Sequence, residues 1–333
     1  MDSPTARSRL LTSLLWASPG FIIGAYAAIR RAGMAVLYKH ASWPEDKVVR
    51  DIPYRDNSDD PKHRLDLFLP HGSNWPVLVF IHGGGLNSGD KALRVCGADV
   101  YSNIGRFYAS QGIGVAVINY RLQQAGPSFS SSRPQVTWRE QVEDAAHAVA
   151  WVYANAGSFG ANTSRLFVAG HSAGGYLASR VALDQKPLLR LGLSPAILTG
   201  VIAASGAGLD LADEQTYALG QRLRDYASRF RCGDPTENWK KEASPVWCAA
   251  AGAPPFLILS AQRECEGLQR QSRLLHAALQ RNNIPSQFVV VPRQNHCRLV
   301  LTLSRPDRLS TQAVLQFIQN AVRVTLPAQT AAA

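Results

Sequence analysis

Arg165-Leu-Phe-Val-Ala-Gly-His-Ser-Ala-Gly-Gly-Tyr-Leu-Ala178 is the stretch whose reading decides the fold. Its apolar start has the length of a short buried strand, and Tyr176-Leu177-Ala178 reads as the apolar start of a helix. Between them, Gly170-His171-Ser172-Ala173-Gly174 fits a G-x-S-x-G turn so tight that the serine points outward from the end of a sheet. A Cβ at position 170 or 174 would strike the neighbouring strand or helix, hence the two glycines. The helix that follows aims its N-terminal N–H groups and the positive end of its dipole at Ser172. Three fixed residues alone also fit a glycine-rich strand-to-helix turn in any parallel α/β protein. The order of the motifs around the turn carries the rest.

A chain of 333 residues, 46% hydrophobic and 18% charged, suffices for one large α/β domain with a sizeable core and a short appendage. No repeat of solenoid length is visible. The formal charge of +11 favours attraction to anionic membrane surfaces. Nucleic acid is a poorer partner, because the basic residues are scattered and no zinc-finger, RNP or helix-turn-helix signature occurs. Cys96, Cys232, Cys248, Cys265 and Cys297 have no C-x-x-C spacing, so no metal site is implied. Their odd number leaves at least one thiol free or paired outside the chain.

Residues 1–40 form an N-terminal apolar segment and linker ahead of the main domain at 41–326, with a tail at 327–333. Residues 10–29 are uncharged, and Arg30-Arg31 closes the run. About twenty such residues can span a bilayer as a helix. Three readings stay open. A signal peptide would use Arg7 and Arg9 as its basic region and Ala25-Tyr26-Ala27 for cleavage. A retained anchor fits the length. An amphipathic helix over the site fits the dilution by Thr12, Ser13, Pro19, Gly20 and Gly24. Arginines on both sides leave orientation undecided. The first two readings imply a membrane-associated or exported (periplasmic or secreted) protein.

Further on, residues 47–55 and 63–69 read as an antiparallel pair, and Trp75–Ile81 as a buried central strand ending at His82-Gly83-Gly84-Gly85. Helices are expected over 97–111, 138–156, 268–281 and 310–324, and strands over 114–120, 199–204, 255–260 and 287–292. Residues 123–135 read as an aperiodic loop. Residues 208–245 look like a lid-like insertion over one end of the sheet. The alternation predicts an α/β fold with a mostly parallel sheet of about eight strands and helices on both faces.

Three features around the turn carry chemistry. The glycine run after Ile81 lets bare backbone N–H groups approach a substrate oxygen, so Gly83 and Gly84 with Ala173 are expected as an oxyanion hole. An acid belongs just past 255–260, where Glu264 is preferred and Glu266 competes. A base belongs after the last strand, and His296 stands there in a polar turn, able to reach back to Ser172. His147 and His276 read as surface or packing residues. His171 reads as structural, its side chain directed away from Ser172, and His82 as fixing the glycine loop.

Residues 79–91 (VFIHGGGLNSGDK), Asn119-Tyr-Arg-Leu122, 165–178 and Asn295-His296 together resemble the α/β-hydrolase superfamily. The resemblance covers roughly residues 48–321. It is nearest to the carboxylesterase branch with hormone-sensitive-lipase-like, feruloyl-esterase-like and kynurenine-formamidase-like enzymes. Lipase-like members usually have Asp where His171 stands, so the GHSAGG form leans towards the other two groups. The resemblance implies Ser172, Glu264 and His296 as a triad, with Gly83, Gly84 and Ala173 as oxyanion donors. It implies a serine hydrolase that cleaves small-molecule carboxylic esters through an acyl-enzyme, with no cofactor. An arylformamidase-type amidase and a non-catalytic membrane-tethered binding protein of this fold are the alternatives. The glutamate and the N-terminal segment depart from the usual soluble members. Cys265 and Cys297 follow the acid and the base directly. They read as small thiols filling space or, in an oxidising compartment, as a disulfide joining the two loops.

Overall fold

Alternate residues of a strand face opposite sides of its sheet, and the central strand Trp75–Ile81 is apolar on both. Val77, Val79 and Ile81 enter one core while Leu78 and Phe80 enter another. Such a strand must be covered on both faces. In the computed structural model, which describes residues 41–95, 98–123, 136–231 and 238–325, it is. The expectations for residues 1–40, most of the loop 123–135, the tail, Cys96 and Cys232 lie outside the described residues.

Eight strands make the main sheet: β1 (Val48–Pro53), β2 (Arg64–Phe68), β3 (Trp75–Ile81), β4 (Gly114–Ile118), β5 (Ala161–His171), β6 (Leu198–Ala204), β7 (Phe256–Ala261) and β8 (Ser286–Val291). Their order is β1-β2-β4-β3-β5-β6-β7-β8. β2 runs antiparallel to both β1 and β4, and every other pairing is parallel. The helices are α1 (Val100–Ser110), α2 (Trp138–Asn155), α3 (Ala173–Leu183), α4 (Gln185–Leu189), α5 (Glu214–Ala218), α6 (Gln221–Ser228), α7 (Asn238–Ala243), α8 (Glu266–Arg281), α9 (His296–Leu301) and α10 (Leu309–Thr325). Val149 of α2, Leu177 of α3 and Leu275 of α8 pack in the core on one face. Ile104 of α1, Leu299 of α9 and Phe317 of α10 pack in the core on the other. The expected α/β architecture, with its antiparallel start, is the observed one.

Local chemistry sets the boundaries. α2 begins at Trp138 because Thr137 and Glu140 form a reciprocal capping box. The first helix starts at Val100 rather than 97, since Arg94–Val95 and Ala98–Asp99 pair as a small antiparallel ribbon ahead of it. A helix where a polar turn was expected is α9. Its N-terminus is capped by the Asn295 side chain, which accepts from the Arg298 N–H at 2.9 Å. Leu299, Val300 and Leu301 then give it a buried face. Among the described residues no helix is long and apolar enough to cross a membrane.

Candidate active site

Ser172 sits between the end of β5 and the first residue of α3 with φ 58° and ψ −120°, a conformation an L-residue avoids. Such strain costs on the order of 1–3 kcal/mol and persists only when the surroundings over-determine it. Here they do. The Ser172 N–H donates to the Ala204 carbonyl at the end of β6 (3.0 Å), and its own carbonyl accepts from Tyr176 and Ala207. A Cβ on Gly170 would lie 2.1 Å from the Gly174 carbonyl oxygen, and one on Gly174 would lie 2.1 Å from that of Ile81. Backbone lies on both sides of the turn, so no side chain fits at either position.

The loop after β3 is held from several directions. His82 is fully buried and donates from Nδ1 to the Gly83 carbonyl at 2.7 Å. A carbonyl can only accept, so Nδ1 carries the proton. Burial lowers the His82 pKa from 6.5 to about 4. Tyr120 stacks on the ring at 4.4 Å and donates its hydroxyl to the His82 carbonyl. The expected structural role of His82 is the one observed. The rest of the Asn119–Leu122 motif ties the same region to the domain. Asn119 accepts from the Lys91 N–H at 2.6 Å, and Arg121 grips the buried Asp144 carboxylate of α2 with two 2.8 Å bonds.

Gly83 departs from its expected role. Its N–H donates to the Tyr101 hydroxyl at 3.0 Å, so it is committed within the protein and is not an oxyanion donor in this arrangement. What position 83 needs is closeness: a Cβ there would lie 3.2 Å from the Ser172 Cβ and from His171 Nδ1. The N–H groups of Gly84 and Ala173 have no protein partner among the described residues. For Ala173 this is the normal state of the first turn of a helix. Gly84 has φ 129° and packs against Ser88, whose hydroxyl donates to its carbonyl at 2.7 Å. Arg229, from the segment 208–245, donates to the Gly85 carbonyl and to Asn87. That segment therefore touches the glycine loop directly.

Glu264 and His296 lie on two loops stitched together by backbone. Arg263 N–H donates to the Gln294 carbonyl (2.8 Å) and Gln262 N–H to that of Val291 (3.0 Å). The Gln262 side chain accepts from the Arg293 N–H. Glu264 is buried, and its Oε1 accepts from the Ser260 hydroxyl (2.9 Å) and the Ala261 N–H (3.0 Å). Its Oε2 stands 3.2 Å from His296 Nδ1. The carboxylate is thus held by three groups and orients the imidazole with Nδ1 towards the acid, leaving Nε2 as the basic nitrogen. Glu266 opens α8 at the exposed surface.

His171 is not directed away from this centre. Its ring lies 4.5 Å from that of His296, and its Nε2 donates to the His296 carbonyl at 2.9 Å. Burial, and after it the neighbouring His296, holds its pKa well below the usual histidine range. A neutral His171 therefore steadies the backbone of His296 from the residue next to Ser172. His276 has the packing role expected, stacked on Phe288 and bonded to Ser286. Cys265 and Cys297 are free thiols, so the disulfide alternative does not hold here. Burial pushes the Cys297 thiol up to about 11. Tyr101, His171, Ser260 and Arg229 were not legible as site residues, since each acts on a backbone or side-chain group brought to it only by the fold.

The sheet order and the strained serine between β5 and α3 define the α/β-hydrolase fold. Within that class the chain belongs to the BD-FAE family, whose model matches residues 65–279. It is similar to esterase LipC of Mycobacterium tuberculosis, 30% identical over 62% of this chain and 49% of that one. It is also similar to esterase LipQ of the same organism, 28% identical over 87% of this chain and 67% of that one. The chain thus spans about half of LipC and two thirds of LipQ. A crystal structure of inhibited esterase B from Lactobacillus rhamnosis superposes with a TM-score of 0.69 at 23% identity, covering 91% of this chain and 95% of that one. At that identity the likeness speaks for the fold.

Proposed function

We propose that this protein hydrolyses small-molecule carboxylic esters through a Ser172-His296-Glu264 triad. One observation carries the reading: Glu264, fixed by Ser260 and Ala261, has its free oxygen on His296 Nδ1 in a fold that strains Ser172 at the start of a helix. Ser172 Oγ attacks the acyl carbonyl and His296 Nε2 takes its proton. Glu264 keeps the imidazole oriented and stabilises its cation. The negative oxygen that develops is met by the N–H groups of Gly84 and Ala173 and by the positive end of α3. His296 returns the proton to the leaving alcohol, and water activated by the same base releases the acid from the acyl-enzyme. Residues 10–29 attach the enzyme to a membrane in this reading.

A fluorophosphonate probe should label the wild type and not Ser172→Ala, and that variant should lose turnover by orders of magnitude while remaining folded. Undiminished turnover by folded Ser172→Ala would remove the mechanism. p-Nitrophenyl esters of graded acyl length, run beside N-formylkynurenine, read the substrate class. Turnover of the formamide alone would reassign the enzyme as an amidase, and no labelling or turnover at all would make it a binding protein. Full-length protein that pellets with membranes through carbonate washing supports the attachment, and a mature N-terminus near Ala28 overturns it.

A further inference from the structure

Beside the stitched acid and base loops a cavity of about 490 Å³ opens against the start of α10, with none of Ser172, Glu264 and His296 among the residues lining it. Arg263, Arg293, Arg298 and Arg308 line it, with Gln294 in its wall and Asp307 as the one acidic residue among those lining it. Asp307 is already engaged by Arg305 at 3.0 and 3.1 Å and by Arg308 at 3.3 Å. The guanidinium groups of Arg263, Arg293 and Arg298 have no hydrogen bond or ion pair among the described residues, and Arg298 Nε is buried without an acceptor.

Several arginines elsewhere are paired with carboxylates: Arg121 with Asp144, Arg106 with Glu45 and Asp99, Arg270 with Asp213. Burial, and then the nearness of Arg308 and Arg263, holds the pKa of Arg298 below its usual value. Gln294, 4% exposed, also lines the cleft, with its Oε1 buried and without a partner among the described residues.

We propose that this cleft is a binding site for a phosphate-class anion. Planar guanidinium forks match the tetrahedral oxygens of phosphate, and several together suit a multiply charged group. Ser172 does not line this cleft, but the cleft is joined to the triad through the chain. Arg263 immediately precedes Glu264, and Arg298 lies two residues beyond His296. An anion held between them bridges the two loops that bring acid and base together. The ligand is a free phosphate or phosphate monoester, or the phosphate of a lipid headgroup.

The test uses full-length protein at constant ionic strength, with inorganic phosphate replacing chloride. Saturable heat in a calorimetric titration and a melting temperature that rises with phosphate are expected. The Arg263→Gln/Arg298→Gln double variant should bind about tenfold more weakly or worse, from the loss of charge-assisted bonds. Arg190→Gln, which removes an exposed arginine far from the cleft, should bind as the wild type does. If the double variant does not fold, the single exposed change Arg293→Gln replaces it with the same expectation. A second arm measures sedimentation with phosphatidylcholine vesicles with and without phosphatidylglycerol, wild type against variant. Arginine-dependent sedimentation without binding of free phosphate assigns the anion to a headgroup. Neither saturable phosphate binding nor arginine-dependent sedimentation, or binding that survives the substitutions, overturns the site. None of these readouts depends on ester hydrolysis.

Discussion

Acid should destabilise this protein measurably through one residue, His82. Its pKa falls from 6.5 to about 4 on folding because the ring is sealed from water against Tyr120, the Gly83 carbonyl offsetting only part of the cost of charging it. The sign follows from which state takes up the proton. Above pH 6.5 the ring is neutral in both states and stability is unaffected. As the pH falls below 6.5 the unfolded chain binds a proton that the folded one refuses, so stability is lost until about pH 4, where the folded state protonates as well. The full shift corresponds to about 3 kcal/mol, and about 2 kcal/mol of it falls between pH 7 and pH 5. Against a domain stability of roughly 5–15 kcal/mol that is a large fraction. Urea unfolding at pH 7, 6 and 5 should therefore show a steeper loss in the wild type than in His82→Asn, which keeps an N–H donor but does not titrate. The gap between the two slopes isolates His82 from His171, which acts in the same direction in both proteins. Parallel pH dependences would refute the reasoning, since the ring would then not be desolvated as its burial requires.

Other consequences are as direct. Glu264→Gln should lower kcat roughly 10²- to 10⁴-fold by leaving His296 misoriented, while Glu266→Gln stays near wild type. An inactive Glu266→Gln with active Glu264→Gln would move the acid by two residues. Tyr101→Phe strands the buried Gly83 N–H and should cost about 1–3 kcal/mol in urea unfolding, with a fall in kcat as the glycine loop loosens. Unchanged stability would show that the Tyr101 hydroxyl does not hold the loop. Mass spectrometry of protein alkylated in denaturant without reductant should find Cys265 and Cys297 both modified. A linked peptide pair would show that the loops are covalently joined in the native compartment.

The sequence by itself determined whatever depends on residues close in the chain. Period-two and period-3.6 apolar patterns set the eight strands and the long helices, because burial of one or both faces is written in the spacing. Gly170 and Gly174 marked the turn at Ser172, because backbone collision is a property of the turn itself. Tertiary structure decided the partnerships. Glu264 and Glu266 are two residues apart and equivalent in local chemistry. Which of them stands beside His296, 32 positions away, depends on the backbone bonds joining 262–263 to 291–294. Gly83 and Gly84 look alike in the motif, yet only Gly83 meets Tyr101 on α1. His171 turns its ring to the His296 backbone across 125 positions, and four arginines from separate segments come to line one cleft. A hydrogen bond or a charge cluster is set by distances of a few ångströms between residues remote in sequence, and only the packed sheet and its helices fix those distances.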